Sequence, residues 1–238
     1  IFNQSYGGSY FGNGIMNTTV EAQYVDSTNN LRNGKGAIFG KSSGNAYDVV
    51  NYGSWYYCDT LYGFATGLTC QHANADPTNT LPYNIVVGAL GATGVKSSYS
   101  SSGSNVWVSA PGGEYGYTHP AMMTADQSSC AQGYVRSGNS SSNAFNNQGN
   151  HSENSSCNYT STFNGTSSAA PVLAGAIALI LEANPNLTWR DVKHILATTS
   201  DQVDASKANI TSNINGTNYI SVPAWTTNDA NHKFHDWY

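Results

Sequence analysis

Apolar positions along the chain fall into two patterns. Short apolar runs at 36–39, 84–90 and 106–110 read as buried strands, whereas 167–183 and 188–197 carry the spacing and length of helices. A shorter helix is predicted over 18–25, with Val20, Tyr24 and Val25 as its apolar positions. Asn184, Pro185 and Asn186 break the first long helix. Thr188 then serves as N-cap of the second, with Asp191 as the acid of its first turn. Strands followed by a helical pair give an α/β signature. The intervening sequence is polar. Residues 46–83 contain Gly53, Gly63, Gly67, Pro77 and Pro82, 97–104 is nearly all Ser, and 137–156 is a Ser/Asn/Gly tract enclosed by Cys130 and Cys157. That tract cannot bury enough apolar surface to order itself and reads as an exposed, insertion-like loop.

Composition narrows the class. The 238 residues suffice for one sizeable core, and we read one domain over 1–238. Only 10% of residues are charged, which disfavours coiled coils and salt-bridged bundles. Acids outnumber bases 14 to 9 and no Lys/Arg run occurs, so the basic footprint of a nucleic-acid binder is missing. The most apolar run, 169–181, is too short and too rich in Gly and Ala to span a bilayer. Four cysteines, Cys58, Cys70, Cys130 and Cys157, lack zinc spacing and admit three disulfide pairings. Pairings 58–70 and 130–157 are favoured because they close short loops in polar segments. Disulfides point to a secreted or periplasmic protein. The chain begins at Ile1 without an initiator Met and ends in polar, turn-rich sequence, and reads as cut at both ends.

The candidate chemistry centres on NGTSSAAP, residues 164–171, which places Ser167 at the start of an apolar helix directly after Gly165 and Thr166. Free backbone N–H groups and the positive end of the dipole would stabilise an oxyanion formed by attack of the Ser167 hydroxyl. Ser and Thr are also ordinary N-cap residues, so helix logic alone leaves this open. The longer string GTSSAAPVLAGAIALILEANPNLTW resembles the serine motif G-T-S-x-A-x-P of the subtilisin-like serine proteases, and LEANPNLTWRDVKHIL is closer to the kexin and furin branch.

That resemblance implies a three-layer α/β fold, a mostly parallel central sheet with helices on both faces and the Ser helix entering at the C-terminal edge of the strands. GKGAIFGKSSGNA, 34–46, is similar to the family strand ending in S-G-N, which assigns the oxyanion amide to Asn45 and substrate contacts to Ser43 and Gly44. IFNQSYG, 1–7, is similar to the strand into S-W-G, making Ser5, Tyr6 and Gly7 the edge that pairs with an extended peptide or protein substrate. VWVSAPGGEYG resembles the strand into A-P-G, a scaffold element. MMTADQSSC places Asp126 as the acid of a pocket for a basic side chain preceding the cleaved bond, although Gly8, Ser9 and Tyr10 stand where a second family acid is expected. Asp76 loosely resembles an acidic loop near the next pocket and calcium sites.

A subtilase triad runs Asp, His, Ser, yet neither D-x-G at a strand end nor H-G-T at a helix start occurs, and His72, His119, His151, His194, His232 and His235 read as surface or satisfied residues. The leading expectation is therefore a fragment of a secreted, kexin-like endopeptidase whose base and orienting Asp lie upstream, nearly inert by itself. A non-catalytic peptide-binding module is the alternative, and a self-associating surface protein built from Tyr/Asn/Ser-rich loops a third. The resemblance further implies structural Ca2+, a following β-rich domain, and a pro-segment or chaperone in the parent, with no nucleic acid and no membrane as partners.

Overall fold

The computed structural model describes residues 1–8, 14–51, 55–57, 69–229 and 231–235. In chain order its strands are β1 (Phe2–Gln4), β2 (Phe39–Ser42), β3 (Val49–Asn51), β4 (Trp55–Tyr57), β5 (Asn84–Leu90), β6 (Val106–Pro111), β7 (Met122–Ala125), β8 (Tyr159–Phe163), β9 (Ile210–Ile214), β10 (Thr217–Val222), β11 (Thr226–Thr227) and β12 (Lys233–Phe234). The helices are α1 (Thr18–Asn30), α2 (Thr166–Ala183) and α3 (Trp189–Thr199).

The central sheet has the order β1, β2, β5, β6, and every pairing in it is parallel. A parallel sheet needs cover on both faces, and strand alternation supplies two sets of side chains to receive it. Ile85, Val87 and Ala89 of β5 join Val108 and Ala110 of β6 on one face, where they meet Ala169, Ala170, Leu173 and Ile177 of α2 and Val192 and Leu196 of α3. On the opposite face Phe39 gathers Ala37, Leu81 and Tyr24 of α1. Its ring stacks on Phe2, with centroids 5.0 Å apart, and lies tilted against Tyr24. The result is the three-layer α/β arrangement expected from the sequence.

Element boundaries depart from the pattern where polar residues are buried. β2 lies at 39–42 rather than 36–39, because Lys41 and Ser42 are buried strand residues that carry no apolar signal. α1 runs five residues past Val25 into the polar DSTNN, of which only Thr28 is buried. The predicted cap of α3 is present as a full capping box: the Thr188 N–H donates to Asp191 Oδ2 at 2.7 Å and the Asp191 N–H to Thr188 Oγ1 at 3.2 Å. α2 has 18 residues, long and apolar enough on those counts to cross a bilayer. One of its faces nevertheless lies in the core of the sheet, the placement of a core helix.

Cys130 and Cys157 form the expected disulfide. Cys70 is disulfide-bonded, and its expected partner Cys58 lies outside the described residues. The 137–156 tract is largely exposed but is not left to order itself. Buried Asn146 donates to Thr160 and Thr162 and accepts the Ser161 N–H at 2.9 Å, while buried Asn154 donates to Phe145 O and Tyr159 O. These amides replace the missing apolar core of the loop and tie it to β8.

Candidate active site

Ser167 is the second residue of α2, and the local sequence explains why the helix starts there. Gly165, the N-cap, has φ 96° and ψ 162°, a conformation that L side chains rarely adopt. Pro171 lies inside the helix and has no N–H, so the carbonyl of Ser167, four residues earlier, loses its intrahelical donor. The Ser5 hydroxyl supplies one instead, donating to Ser167 O at 2.9 Å. In return the Ser167 hydroxyl donates to Ser5 O at 3.2 Å. The end of β1 and the start of α2 are thus joined through the two serines.

Asn45 closes the other side. Its Oδ1 accepts the Thr166 N–H at 2.8 Å and the Thr166 hydroxyl at 2.9 Å. A backbone N–H can only donate, so this pairing fixes which end of the amide is oxygen. The Asn45 NH2 lies over Gly165, where an added Cβ would sit 3.1 Å from Nδ2. Thr166 is buried, and its hydroxyl also accepts the Gly44 N–H at 3.2 Å. Ser167 therefore stands at the positive end of a helix dipole with an oriented amide donor beside it, while the Gly165, Thr166 and Ser168 N–H groups are taken by Tyr99 Oη, Asn45 Oδ1 and Gly165 O.

Buried Tyr99 braces this corner: its hydroxyl accepts the Gly165 N–H at 2.8 Å and donates to Gly113 O at 2.5 Å. Burial pushes its pKa up, so the group remains a neutral donor. Substituting Tyr99→Phe is expected to leave the Gly165 N–H buried without a partner. A loss of about 1–3 kcal/mol in urea unfolding is the expected outcome, and an unchanged midpoint would show that the brace is dispensable.

The cleft in front of Ser167 has a volume of about 280 Å³, and Tyr6, Gly7, Ser43, Gly44, Asn45 and Asp76 line it. One wall is the 43–47 turn, pinned by the Ser101 N–H on Gly44 O at 2.9 Å and the Tyr47 N–H on Tyr99 O at 3.1 Å. Gly44, with φ 114°, has Ser101 Oγ 3.1 Å from where a Cβ would lie. Asp76, which lines the cleft, belongs to an ion pair that sequence reasoning missed. Lys41 Nζ lies 3.4 Å from Asp76 Oδ2, with both side chains buried. Lys41 also donates to Tyr6 O, and Asp76 Oδ1 accepts the Thr78 N–H at 2.9 Å and the Thr78 hydroxyl at 2.6 Å. Burial pushes the Lys41 pKa down, and the charge and hydrogen bond of Asp76 oppose that shift. The available signal was a lone Lys in GAIFGKSSGN, within a segment otherwise suited to the core.

The residues assigned from sequence come together with one exception. Ser167, Asn45, Ser5, Tyr6, Gly7, Ser43 and Gly44 meet at this cleft. Asp126 is not among its lining residues. Its Oδ2 accepts the N–H groups of Tyr134 at 2.7 Å and Val135 at 2.9 Å, and its Oδ1 that of Gln127 at 2.8 Å. Three backbone donors make it the closure of its own loop, and Asp76 is the acid at the cleft. Ser9 and Tyr10 lie outside the described residues. Of the histidines, His72 also lines the cleft. No group of three His, Cys, Asp or Glu side chains suited to a metal occurs among the described residues.

Comparisons with known proteins agree with this geometry. The family model described as Subtilase family matches residues 1–227. The Aeromonas extracellular serine protease of Aeromonas sobria is 39% identical over 207 residues, 86% of this chain and 32% of that protein. Protease KEX1 of Kluyveromyces lactis is 27% identical over 206 residues, 86% of this chain and 20% of that protein. The crystal structure of the serine protease of Aeromonas sobria superposes with a TM-score of 0.85 at 34% identity, covering 100% of this chain and 40% of that one. The same protease has been solved in complex with a chaperone, with a TM-score of 0.84 at 34% identity and the same coverage. The chain spans about a third of the length of the Aeromonas protease it matches.

Proposed function

Because the chain belongs to the subtilase family, we propose that it is the nucleophile and oxyanion part of a secreted serine endopeptidase that cleaves peptide bonds after basic residues. The observation that carries this reading is the pairing of Ser167 at the α2 N-terminus with the oriented Asn45 amide. The Ser167 hydroxyl attacks the peptide carbonyl, the leaving amine departs with a proton, and water then releases the acyl group from Ser167 Oγ. An extended peptide pairs its backbone with the Ser5–Tyr6–Gly7 edge. Asp76 in the cleft is the carboxylate available to a basic side chain.

The general base and its orienting Asp belong, in this reading, to a segment outside 1–238. Two uncovered surfaces support that. β1 ends the sheet order and pairs with β2 only among the described residues. The outer side of α2 exposes Pro171, Val172, Gly175, Ala176 and Leu179, the last 68% exposed. An open strand edge and an apolar helix face suit a further layer of the same domain. Residues 1–238 are then one incomplete catalytic domain, and the longer protein uses a pro-segment or chaperone and carries a following β-rich domain. Structural calcium belongs to this expectation, although no group of three His, Cys, Asp or Glu side chains among the described residues would hold it. A nearby carbonyl set, Ser97, Ser98 and Ser100, receives the Lys96 ammonium at 3.0–3.4 Å instead, so those oxygens already serve a cation of the chain itself.

The test is covalent labelling of the full-length protein with a fluorophosphonate. The expected result is a single adduct on Ser167 and loss of peptide hydrolysis in proportion to labelling. Hydrolysis that persists in fully labelled protein would sink the reading, and extended-peptide binding without hydrolysis would favour the binding module.

A further inference from the structure

We propose that Lys41 is a specificity-determining residue: its ammonium already occupies the acid of the cleft, so the preference for basic over neutral side chains is set by the Lys41–Asp76 pair and not by Asp76 alone. The assignment rests on the proteolytic function proposed above and refines its substrate class. Asp76 reaches the substrate edge closely, since a Cβ on Gly7 would lie 3.1 Å from Asp76 Oδ2 and 3.5 Å from Lys41 Nζ. A side chain reaching past Gly7 therefore meets Asp76, which lines the cleft, with the Lys41 ammonium 3.4 Å from its Oδ2.

The carboxylate has limited capacity left. Oδ1 is taken by the Thr78 N–H and hydroxyl, and Oδ2 faces Lys41 at 3.4 Å. That distance is longer than the roughly 2.7–2.9 Å of a tight charge-assisted bond. The ammonium is divided between three groups, because it also donates to Tyr6 O and sits 5.1 Å from the centre of the Tyr6 ring. A substrate guanidinium can thus approach Oδ2, but only with a second cation on the same oxygen. Lys41 is 1% and Asp76 7% exposed, so water screens that repulsion poorly. A neutral side chain meets an internally balanced pair and pays no such penalty. The cleft should accordingly accept neutral residues as well as basic ones, with Lys41 damping the attraction that a bare carboxylate would exert.

The experiment compares wild type, Lys41→Met and Asp76→Asn in the full-length protease. Each is assayed on peptides that differ only in Arg or Met before the cleaved bond, and inhibited with benzamidine as a cationic probe. Lys41→Met is expected to raise the Arg-to-Met ratio of kcat/KM by about tenfold or more and to tighten benzamidine inhibition similarly. Asp76→Asn is expected to move both readouts in the opposite direction. A folded Lys41→Met enzyme whose ratio stays within about threefold of wild type overturns the proposal. Should Lys41→Met fail to fold, an unchanged ratio in Asp76→Asn overturns it equally. If wild type hydrolyses no peptide, the proteolytic reading fails by itself, and benzamidine binding by calorimetry decides the pair: tighter binding to Lys41→Met supports it, equal binding overturns it.

Discussion

Under the proposed function, replacing Ser167 by Ala in the full-length protein is expected to abolish peptide hydrolysis while leaving the fold in place. The two halves of this expectation come from different atoms. Ser167 Oγ is the only atom removed, and with it goes the bond-forming nucleophile, so the acyl-enzyme cannot form. The expected fall in kcat is on the order of 10⁶, a size carried over from subtilisin, where loss of the serine costs about that much. A residual rate of about 10³–10⁴ over water would remain from the oxyanion donors and from binding. The structural contacts of this residue run mostly through its backbone. Ser167 O still accepts from Ser5 Oγ, and Gly165 and Thr166 keep their bonds to Tyr99 and Asn45. Only the donation from Ser167 Oγ to the Ser5 carbonyl at 3.2 Å is lost, in a half-buried setting. Stability should therefore change by no more than about 1 kcal/mol. Steady-state kinetics and a urea midpoint on the same preparation check both halves. Hydrolysis surviving at more than about a hundredth of the wild-type kcat would show that another residue is the nucleophile.

How much of this was legible in the sequence depended on whether apolar spacing or motif wording carried the signal. β5 and β6 and the two C-terminal helices were visible as apolar runs because their buried residues are apolar. The serine corner was visible as wording, G-T-S-x-A-x-P and S-G-N, and the structure brings those two strings to one cleft. What escaped was polar burial. Asp76 was visible only as a loose resemblance to an acidic loop, and Lys41 not at all: the two balance each other out of water, so hydropathy does not point to their pairing. Asn146 and Asn154 act as hydrogen-bonded cores of a loop that composition alone marks as disordered. The surroundings of Asp126 were hidden for a related reason. An acid near a Cys reads as a pocket residue by analogy, but its oxygens are satisfied by the N–H groups of Gln127, Tyr134 and Val135, which only tertiary structure reveals. Tyr99, with a hydroxyl spanning Gly165 and Gly113, lies in a Ser-rich stretch that gave no sign of being the brace of the site.

Asn45 permits the sharpest separation of chemistry from folding, because its two amide atoms do different things. Oδ1 accepts from the Thr166 N–H and hydroxyl and so holds the first turn of α2. Nδ2 is the donor left for charge that develops on the attacked carbonyl oxygen. Asn45→Asp retains the acceptor and replaces the donor with a second oxygen. Asn45→Ala removes both. Each substitution is expected to lower kcat by about 10² to 10³, or about 2.7–4 kcal/mol, the range recorded for the corresponding donor in subtilisin and carried over from it. The loss in Asn45→Asp should be at least as large, since a carboxylate beside the forming oxyanion repels it. KM should move little in both, because the donor acts on charge absent from the ground state. Stability should split them: Asn45→Ala strands the Thr166 N–H and hydroxyl and is expected to lose about 1–3 kcal/mol, whereas Asn45→Asp keeps those bonds. Matched kcat losses with unequal unfolding midpoints would assign oxyanion stabilisation to Nδ2 alone. An Asn45→Asp enzyme within about threefold of the wild-type kcat would instead mean that the oxyanion is stabilised without Nδ2, by the dipole end of α2 and the Ser167 backbone.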